Sequence, residues 1–231
     1  MAGDRDDGFW IKSPAEIIDQ TLLRPDATLG QVKRFLADAK TFKFHAVCVL
    51  PWFVPEAVGT LKHCSRIKIC TVVGFPLGGH SRFTKIFEAM EGARQQVDEL
   101  DVVINIGALK SGEIRYVREE LAEIMKNTTE CVHKIILEMG FLERREIEAA
   151  AAILNRLKPD FAKTSTGINT RGVETEDITR LRALLDPDIQ IKAAGGIRNL
   201  ETLKKMVAAG ATRIGTSSGV KIMKEYLQDD I

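Results

Sequence analysis

The stretch "DIQIKAAGGIRNLETLKKMVAAGATRIGTSSG", residues 188–219, reads as two short strands with one helix between them. Its ends, "IQIKAAGG" and "TRIGTSSG", are brief runs closed by glycine, of the kind that forms strands buried on both faces. Between them Leu200, Leu203 and Val207 recur at helical spacing. Asn199 stands where a helix N-cap belongs and Gly210 where a left-handed C-terminal residue belongs. Strand, helix and strand joined this tightly make a parallel βαβ unit.

The same alternation runs through the rest of the chain. Further strand candidates fall at 16–23, 44–50, 66–75, 100–107, 133–140 and 159–165. Between them the apolar period lengthens to that of a helix. Phe83, Ile86, Phe87, Met90 and Val97 are expected on one inward face. So are Ile114, Val117, Leu121, Ile124 and Met125, and then Ile147, Ala150, Ala151, Leu154 and Leu157. Asp26 or Thr28 is placed to cap the first helix and Ser111 the fourth. Eight strands alternating with helices predict an α/β protein, a single-domain (β/α)8 TIM barrel over residues 13–231, with an N-terminal extension at 1–12. An open, doubly wound sheet is the alternative, because periodicity does not see closure.

Composition narrows the function classes. The chain has 231 residues, 45% hydrophobic and 28% charged, with a net charge of +1, which lacks the basic face of a nucleic-acid binder. No run approaches the roughly 18 apolar residues of a membrane span. The start, "MAGDRDDGFWIKSP", has no apolar segment of the secretory type, so a cytoplasmic protein is expected. Four cysteines form no C-x-x-C pair, and Cys48 and Cys70 lie in apolar runs, so reduced, buried thiols are expected. His45, His63, His80 and His133 are scattered without metal-ligand spacing, so no metal site is expected.

Three charged residues inside strand candidates carry the chemistry. Asp101 opens "DVVINIG", Lys163 lies in "DFAKTS" and Lys192 in "IQIKAAGG". The lysines are one βα unit apart, so they occupy neighbouring strands about 4.8 Å from each other. Two ammonium groups held together in a dry site repel, and both repulsion and desolvation favour loss of a proton from one of them. A neutral amine attacks carbonyls and an ammonium does not, which makes Lys163 a candidate Schiff-base nucleophile. Lys192 would keep it neutral and Asp101 would shuttle protons. The competing reading pairs a buried lysine with a carboxylate such as Asp101, Asp160 or Glu138 for structure alone. The glycine-rich ends at 193–199 and 215–219, after the seventh and eighth strands, offer backbone N–H groups to an anion where barrels bind phosphate, and 165–167 adds a third donor loop nearby.

With these residues in place the chain resembles the deoxyribose-phosphate aldolases, a class I aldolase family. The resemblance rests on "IDQTLLRPDAT", "VCVLPWFVPEA", "CTVVGFPLGGH", "DELDVVINIGALKSG", "DFAKTSTGI", "IKAAGGIRN" and "TRIGTSSG", which span residues 18–219 in the family's order. It implies reversible cleavage of 2-deoxyribose 5-phosphate to glyceraldehyde 3-phosphate and acetaldehyde, with no metal or organic cofactor, by a homodimer or homotetramer. By the same resemblance Lys163 is the Schiff-base lysine, Lys192 tunes it and moves protons, and Asp101 acts through a bound water. Gly167, Gly195, Gly196, Gly215, Ser217 and Ser218 match phosphate-binding positions, and Asp19 and Cys48 line the acetaldehyde side. The chain departs from the family pattern at Gln20, where histidine is frequent, at Met139 after Glu138, and at its end, where Tyr226 stands five residues short of the terminus. Two other functions compete: a phosphate-binding barrel isomerase or synthase using the lysines as electrostatic clamps, and a non-catalytic sugar-phosphate-binding barrel.

Overall fold

Eight strands close on themselves in chain order, every neighbouring pair parallel and β8 hydrogen-bonded back to β1. The computed structural model describes residues 13–229; the expected extension at 1–12 lies outside them. The strands are β1 (Ile18–Leu22), β2 (Ala46–Val49), β3 (Lys68–Val73), β4 (Glu99–Val103), β5 (Val132–Ile136), β6 (Phe161–Lys163), β7 (Gln190–Ala194) and β8 (Arg213–Thr216). Each falls inside its sequence candidate or begins one residue before it. The closed ring is the predicted (β/α)8 barrel and excludes the open sheet.

The helices are α1 (Leu29–Phe42), α2 (Val54–Leu61), α3 (Arg82–Arg94), α4 (Ile106–Lys110), α5 (Ile114–Asn127), α6 (Arg144–Leu157), α7 (Thr175–Leu184), α8 (Leu200–Ala208) and α9 (Gly219–Asp229). Their caps follow local chemistry. Thr28 closes a reciprocal capping box with Gln31 at the start of α1. Asn199 accepts from the Thr202 N–H at the start of α8, and Gly210 follows that helix in a left-handed conformation. Ser111 does not start a helix. It ends the short α4, its hydroxyl donating to Gly107 O, and α5 begins three residues later.

The inward stripes of α5 and α6 bury as expected, with Val117, Leu121, Ile124, Ile147, Ala150, Ala151 and Leu154 in the core. The stripe on α3 does not. Phe83 is 85% exposed, Phe87 72%, and Met90 is exposed as well, while Ile86 is half-buried and Val97, past the helix, is buried. The inward face of α3 is instead Lys85, Ala89 and Gly92. At Gly92 the helix lies so close to the sheet that a Cβ would stand 3.2 Å from Leu100 and Thr71. Lys85 points into the same layer and pairs at 2.5 Å with Glu120 of α5, both fully buried. Small residues and an internal ion pair thus win the inner face, and the phenylalanines turn outward.

Candidate active site

The barrel interior is charged. From β1 comes Asp19, from β4 Glu99 and Asp101, from β5 Lys134, from β6 Lys163, from β7 Lys192 and from β8 Arg213, all buried. Register explains the meeting, since Lys163 and Lys192 are paired across β6 and β7, and Lys192 and Arg213 across β7 and β8.

Asp101 is the hub. Its Oδ1 accepts from Lys134 Nζ at 2.7 Å, and its Oδ2 from Lys163 Nζ at 2.6 Å and Lys192 Nζ at 2.8 Å. Lys192 also pairs with Asp19 Oδ2 at 2.5 Å. Lys134 also pairs with Glu99 at 2.7 Å and, more distantly, with Asp19 at 3.6 Å. Beneath them Arg213 donates to Asp19 at 3.0 Å and to Glu99 at 3.3 Å, its guanidinium 4.9 Å from the centroid of the Phe161 ring. Lys134 therefore has three carboxylate partners, Lys192 two, and Lys163 one. The cluster sets four cations against three carboxylates.

These contacts decide the charge states of the supporting groups. Burial alone would raise the pKa of Asp101, yet the charges of Lys134, Lys163 and Lys192 outweigh it and hold the carboxyl well below its ordinary range. Asp19 is lowered in the same way, against burial, by Lys192, Lys134 and Arg213. Burial would lower Lys192, but Asp101 and Asp19 raise it; Lys134 is likewise raised by Asp101, against burial. A carboxyl whose folded pKa is depressed contributes stability that is present above its unfolded value, about 4, and is lost as pH falls through the folded value. A lysine whose folded pKa is raised contributes stability that is complete below about 10.4 and is lost at higher pH. The thermal midpoint is therefore expected to be flat between about pH 5 and 9 and to fall on acidification below about pH 4. Scanning calorimetry across pH 3–9 checks this, and a midpoint that climbs as pH drops from 5 to 3 would contradict the pairing.

Other expected residues fall around this cluster. Cys48 and Cys70 are register partners on β2 and β3 and, like all the described cysteines, are not disulfide-bonded. Their sulfurs and an Asp101 oxygen lie within 4.8 Å of one another, a grouping that could in principle take a soft cation. Both Asp101 oxygens already serve ammonium groups, so that trio has no free carboxylate to give a metal.

Gly167, Gly195 and Gly196 come together at the C-terminal mouth, with φ of +80°, +105° and +78°. A Cβ on Gly167 would stand 3.3 Å from the Gly195 Cα, so the two turns approach as only glycines permit. The N–H groups of Gly167, Gly196 and Ser217 donate to no acceptor among the described residues. Ser217 is exposed, and the Ser218 N–H is turned back onto the Thr216 hydroxyl at 2.9 Å. Gly215 lies lower, buried within β8, where a Cβ would meet Lys192 Cε at 3.1 Å; its missing side chain makes room for that lysine. Gln20, the departure on β1, accepts from the Gly219 N–H at 3.0 Å and fixes the start of α9.

Lys134, Glu99 and Arg213 were not among the sequence candidates. One signal was available for Lys134. It precedes Lys163 by 29 residues, the same interval that separates Lys163 from Lys192.

A closed β/α barrel whose interior carries amines and carboxylates has the architecture and the groups of a catalytic barrel. The model of the DeoC/LacD family aldolases matches residues 15–225. A deoxyribose-phosphate aldolase of Staphylococcus carnosus is 42% identical over 215 residues, 93% of this chain and 97% of the relative. That of Caldanaerobacter subterraneus subsp. tengcongensis is also 42% identical, over 92% of this chain and 93% of its own. Among solved structures, an aldolase called QR15 superposes with a TM-score of 0.91 at 39% identity, covering 95% of this chain and 98% of that one. An Aeropyrum pernix deoxyribose phosphate aldolase, described as tetrameric, gives 0.87 at 32% identity over 94% and 93%. The chain belongs to the DeoC/LacD aldolase family and is a lyase that acts on carbon–carbon bonds.

Proposed function

We propose that the chain is a class I aldolase that reversibly cleaves 2-deoxy-D-ribose 5-phosphate to D-glyceraldehyde 3-phosphate and acetaldehyde, with Lys163 forming the Schiff base. One observation carries the assignment of Lys163: among three lysines around one aspartate, it alone has a single carboxylate partner. It is also the one lysine of the three with residual exposure, 3% against zero for the others. With the fewest carboxylates around it, Lys163 is the amine to which we assign the nucleophilic role. The names of the relatives supply the substrate.

The steps follow from that charge distribution. The neutral Lys163 amine adds to C1 of the open-chain sugar, and the carbinolamine loses water after protonation by the Asp101–Lys192 pair, leaving a protonated imine. Removal of the C3 hydroxyl proton then breaks the C2–C3 bond, whose electrons flow into the imine and give an enamine. Glyceraldehyde 3-phosphate leaves. Protonation of the enamine carbon and hydrolysis of the resulting imine release acetaldehyde and the free amine. The imine nitrogen is the electron sink, so the reaction calls on no metal or organic cofactor. At rest Lys192 and Lys134 are charged and hold Asp101 ionised; the proton that the Asp101–Lys192 pair lends to the carbinolamine returns from the C3 hydroxyl, and the one it lends to the enamine carbon returns when the imine is hydrolysed, while Asp19 anchors Lys192 and, with Cys48, bounds the two-carbon side. Gly167, Gly195, Gly196, Ser217 and Ser218 take the phosphate, and Gly215 gives Lys192 its place beneath them.

A homodimer or homotetramer is proposed alongside, with the exposed phenylalanines of α3 in support. A cytoplasmic location accords with the absence, among the described residues, of any helix long and apolar enough to cross a membrane.

Incubation with 2-deoxyribose 5-phosphate is expected to release acetaldehyde and glyceraldehyde 3-phosphate in equal amounts, read by coupled dehydrogenase assays. Isomerisation of sugar phosphates without aldehyde release would favour the electrostatic clamp instead, and binding without turnover the non-catalytic barrel.

A further inference from the structure

We propose that Glu138 is a positioning residue for the phosphate end of the substrate: it shapes the turn after β6 so that the Gly167 N–H faces the anion, and it stays out of the imine chemistry. This rests on the deoxyribose-phosphate reading above. Glu138 follows β5, fully buried, with its backbone in the left-handed region at φ 56° and ψ 58°, a conformation that a glutamate rarely adopts. No cation among the described residues stands within ion-pair distance of its carboxyl group. It serves the turn instead. Its oxygens accept from the Thr166 N–H at 3.3 Å, from the Thr166 hydroxyl at 2.5 Å and from Asn169 Nδ2 at 3.3 Å.

The consequence is an alternation of amides. Thr166 N–H is drawn inward to Glu138, and Thr166 Oγ1, held by the same carboxyl group, accepts the Ile168 N–H at 3.2 Å. Gly167 lies between them, exposed and at φ +80°, and its N–H is left pointing to no described acceptor. Asn169 Nδ2 also donates to Pro76 O at 2.8 Å, so the same group ties the turn to the loop after β3. One buried carboxyl group thereby fixes the turn through two side chains.

Lys163 is held by backbone contacts that the Glu138 side chain does not make: on one side the Leu137 N–H donates to Lys163 O and the Met139 N–H to Thr164 O, each at 2.9 Å. The next residue, Thr164, exchanges hydrogen bonds with β7, its hydroxyl donating to Ala194 O at 3.0 Å and accepting from the Ala194 N–H at 3.1 Å. The Thr164 N–H donates to Lys192 O at 3.1 Å. Loosening the turn through Glu138 therefore leaves the lysine in register, so binding of phosphate and formation of the imine are held by different contacts.

The test compares two substrates in the wild type, Glu138→Ala and Glu138→Gln. Alanine removes the acceptor of the Thr166 N–H, the Thr166 hydroxyl and one Asn169 N–H, and is expected to raise the KM for 2-deoxyribose 5-phosphate by about ten-fold or more, with kcat within about three-fold. Cleavage of unphosphorylated 2-deoxyribose should keep its kcat/KM within about two-fold of the wild type. Glutamine retains one carbonyl oxygen and should fall between, and it carries the test if the alanine variant does not fold. Affinity for inorganic phosphate, titrated without turnover, should weaken in parallel. A wild type that binds phosphate yet cleaves neither sugar would sink the functional reading alone, since the phosphate titration still reports on Glu138. Equal losses on both sugars with phosphate affinity intact, or no change in any of these measures, would overturn the proposal.

Discussion

Lys163→Met is expected to lose turnover by about 10⁴-fold or more while its thermal midpoint stays at or above that of the wild type. The two halves of this result have one cause. Without the ε-amino group there is no covalent capture of the aldehyde, and neither Lys192 nor Lys134 can replace it, because both are held charged by more than one carboxylate. The stability half follows from the count of charges. Removing Lys163 leaves three cations facing three carboxylates, and Asp101 keeps Lys134 at 2.7 Å and Lys192 at 2.8 Å. Replacing a buried amine that has one carboxylate partner with an apolar side chain of similar length is close to neutral or stabilising, because Asp101 keeps its two other partners. A catalytic lysine that costs stability to keep is the usual trade between function and folding. A midpoint that drops by more than a few degrees would show that Lys163 is a structural ion-pair partner. Thermal unfolding and a coupled aldehyde assay on one preparation read both halves.

Asp101→Asn carries the second largest effect, and here activity and stability should fall together. The substitution removes the one carboxylate that three lysine amines share, leaving Lys134 to Glu99 and Asp19, Lys192 to Asp19, and Lys163 with no carboxylate partner. Breaking a buried ionic cluster by removing one partner costs about 3–5 kcal/mol, which for a chain of this size lowers the midpoint by roughly 10–15 °C. The rate of Schiff-base formation should fall by about 10²–10⁴-fold, the range expected for loss of a proton-transfer group. A variant that unfolds at the wild-type temperature would show the lysines to be compensated elsewhere. Full activity in Asp101→Asn would remove the aspartate from the chemistry.

The contrast between these variants also shows what the sequence could and could not reveal. The βαβ unit at 188–219 was legible because Asn199, Gly210 and the Leu200–Leu203–Val207 stripe all agree on one helix, and local signals that agree with one another specify structure. Lys163 and Lys192 were legible because a lysine within an apolar strand contradicts its surroundings. Lys134 sits in "HKIILEMG", the third residue of β5, near the strand's start, where a charged side chain ordinarily reads as solvent-facing. Arg213 and Glu99 open β8 and β4 and were passed over for the same reason. In a closed barrel the inward side of a strand's first residues is enclosed too, so these side chains form the floor under Asp101. Closure itself leaves no local mark, and the partners of Asp101 lie 33, 62 and 91 positions away along the chain. The α3 stripe misled for a related reason. Periodicity gives a face without its direction, and the closeness of Gly92 to the sheet chose the opposite one.

The most direct measurement is reductive trapping with site mapping. The protein is incubated with acetaldehyde at neutral pH, reduced with borohydride, digested, and its peptides weighed by mass spectrometry. The expected product is a single ethylated lysine in the peptide that carries Lys163, with Lys134 and Lys192 unmodified. An adduct on either of those two, or none in a preparation that turns over 2-deoxyribose 5-phosphate, would contradict the assignment of Lys163 as the amine that captures the aldehyde.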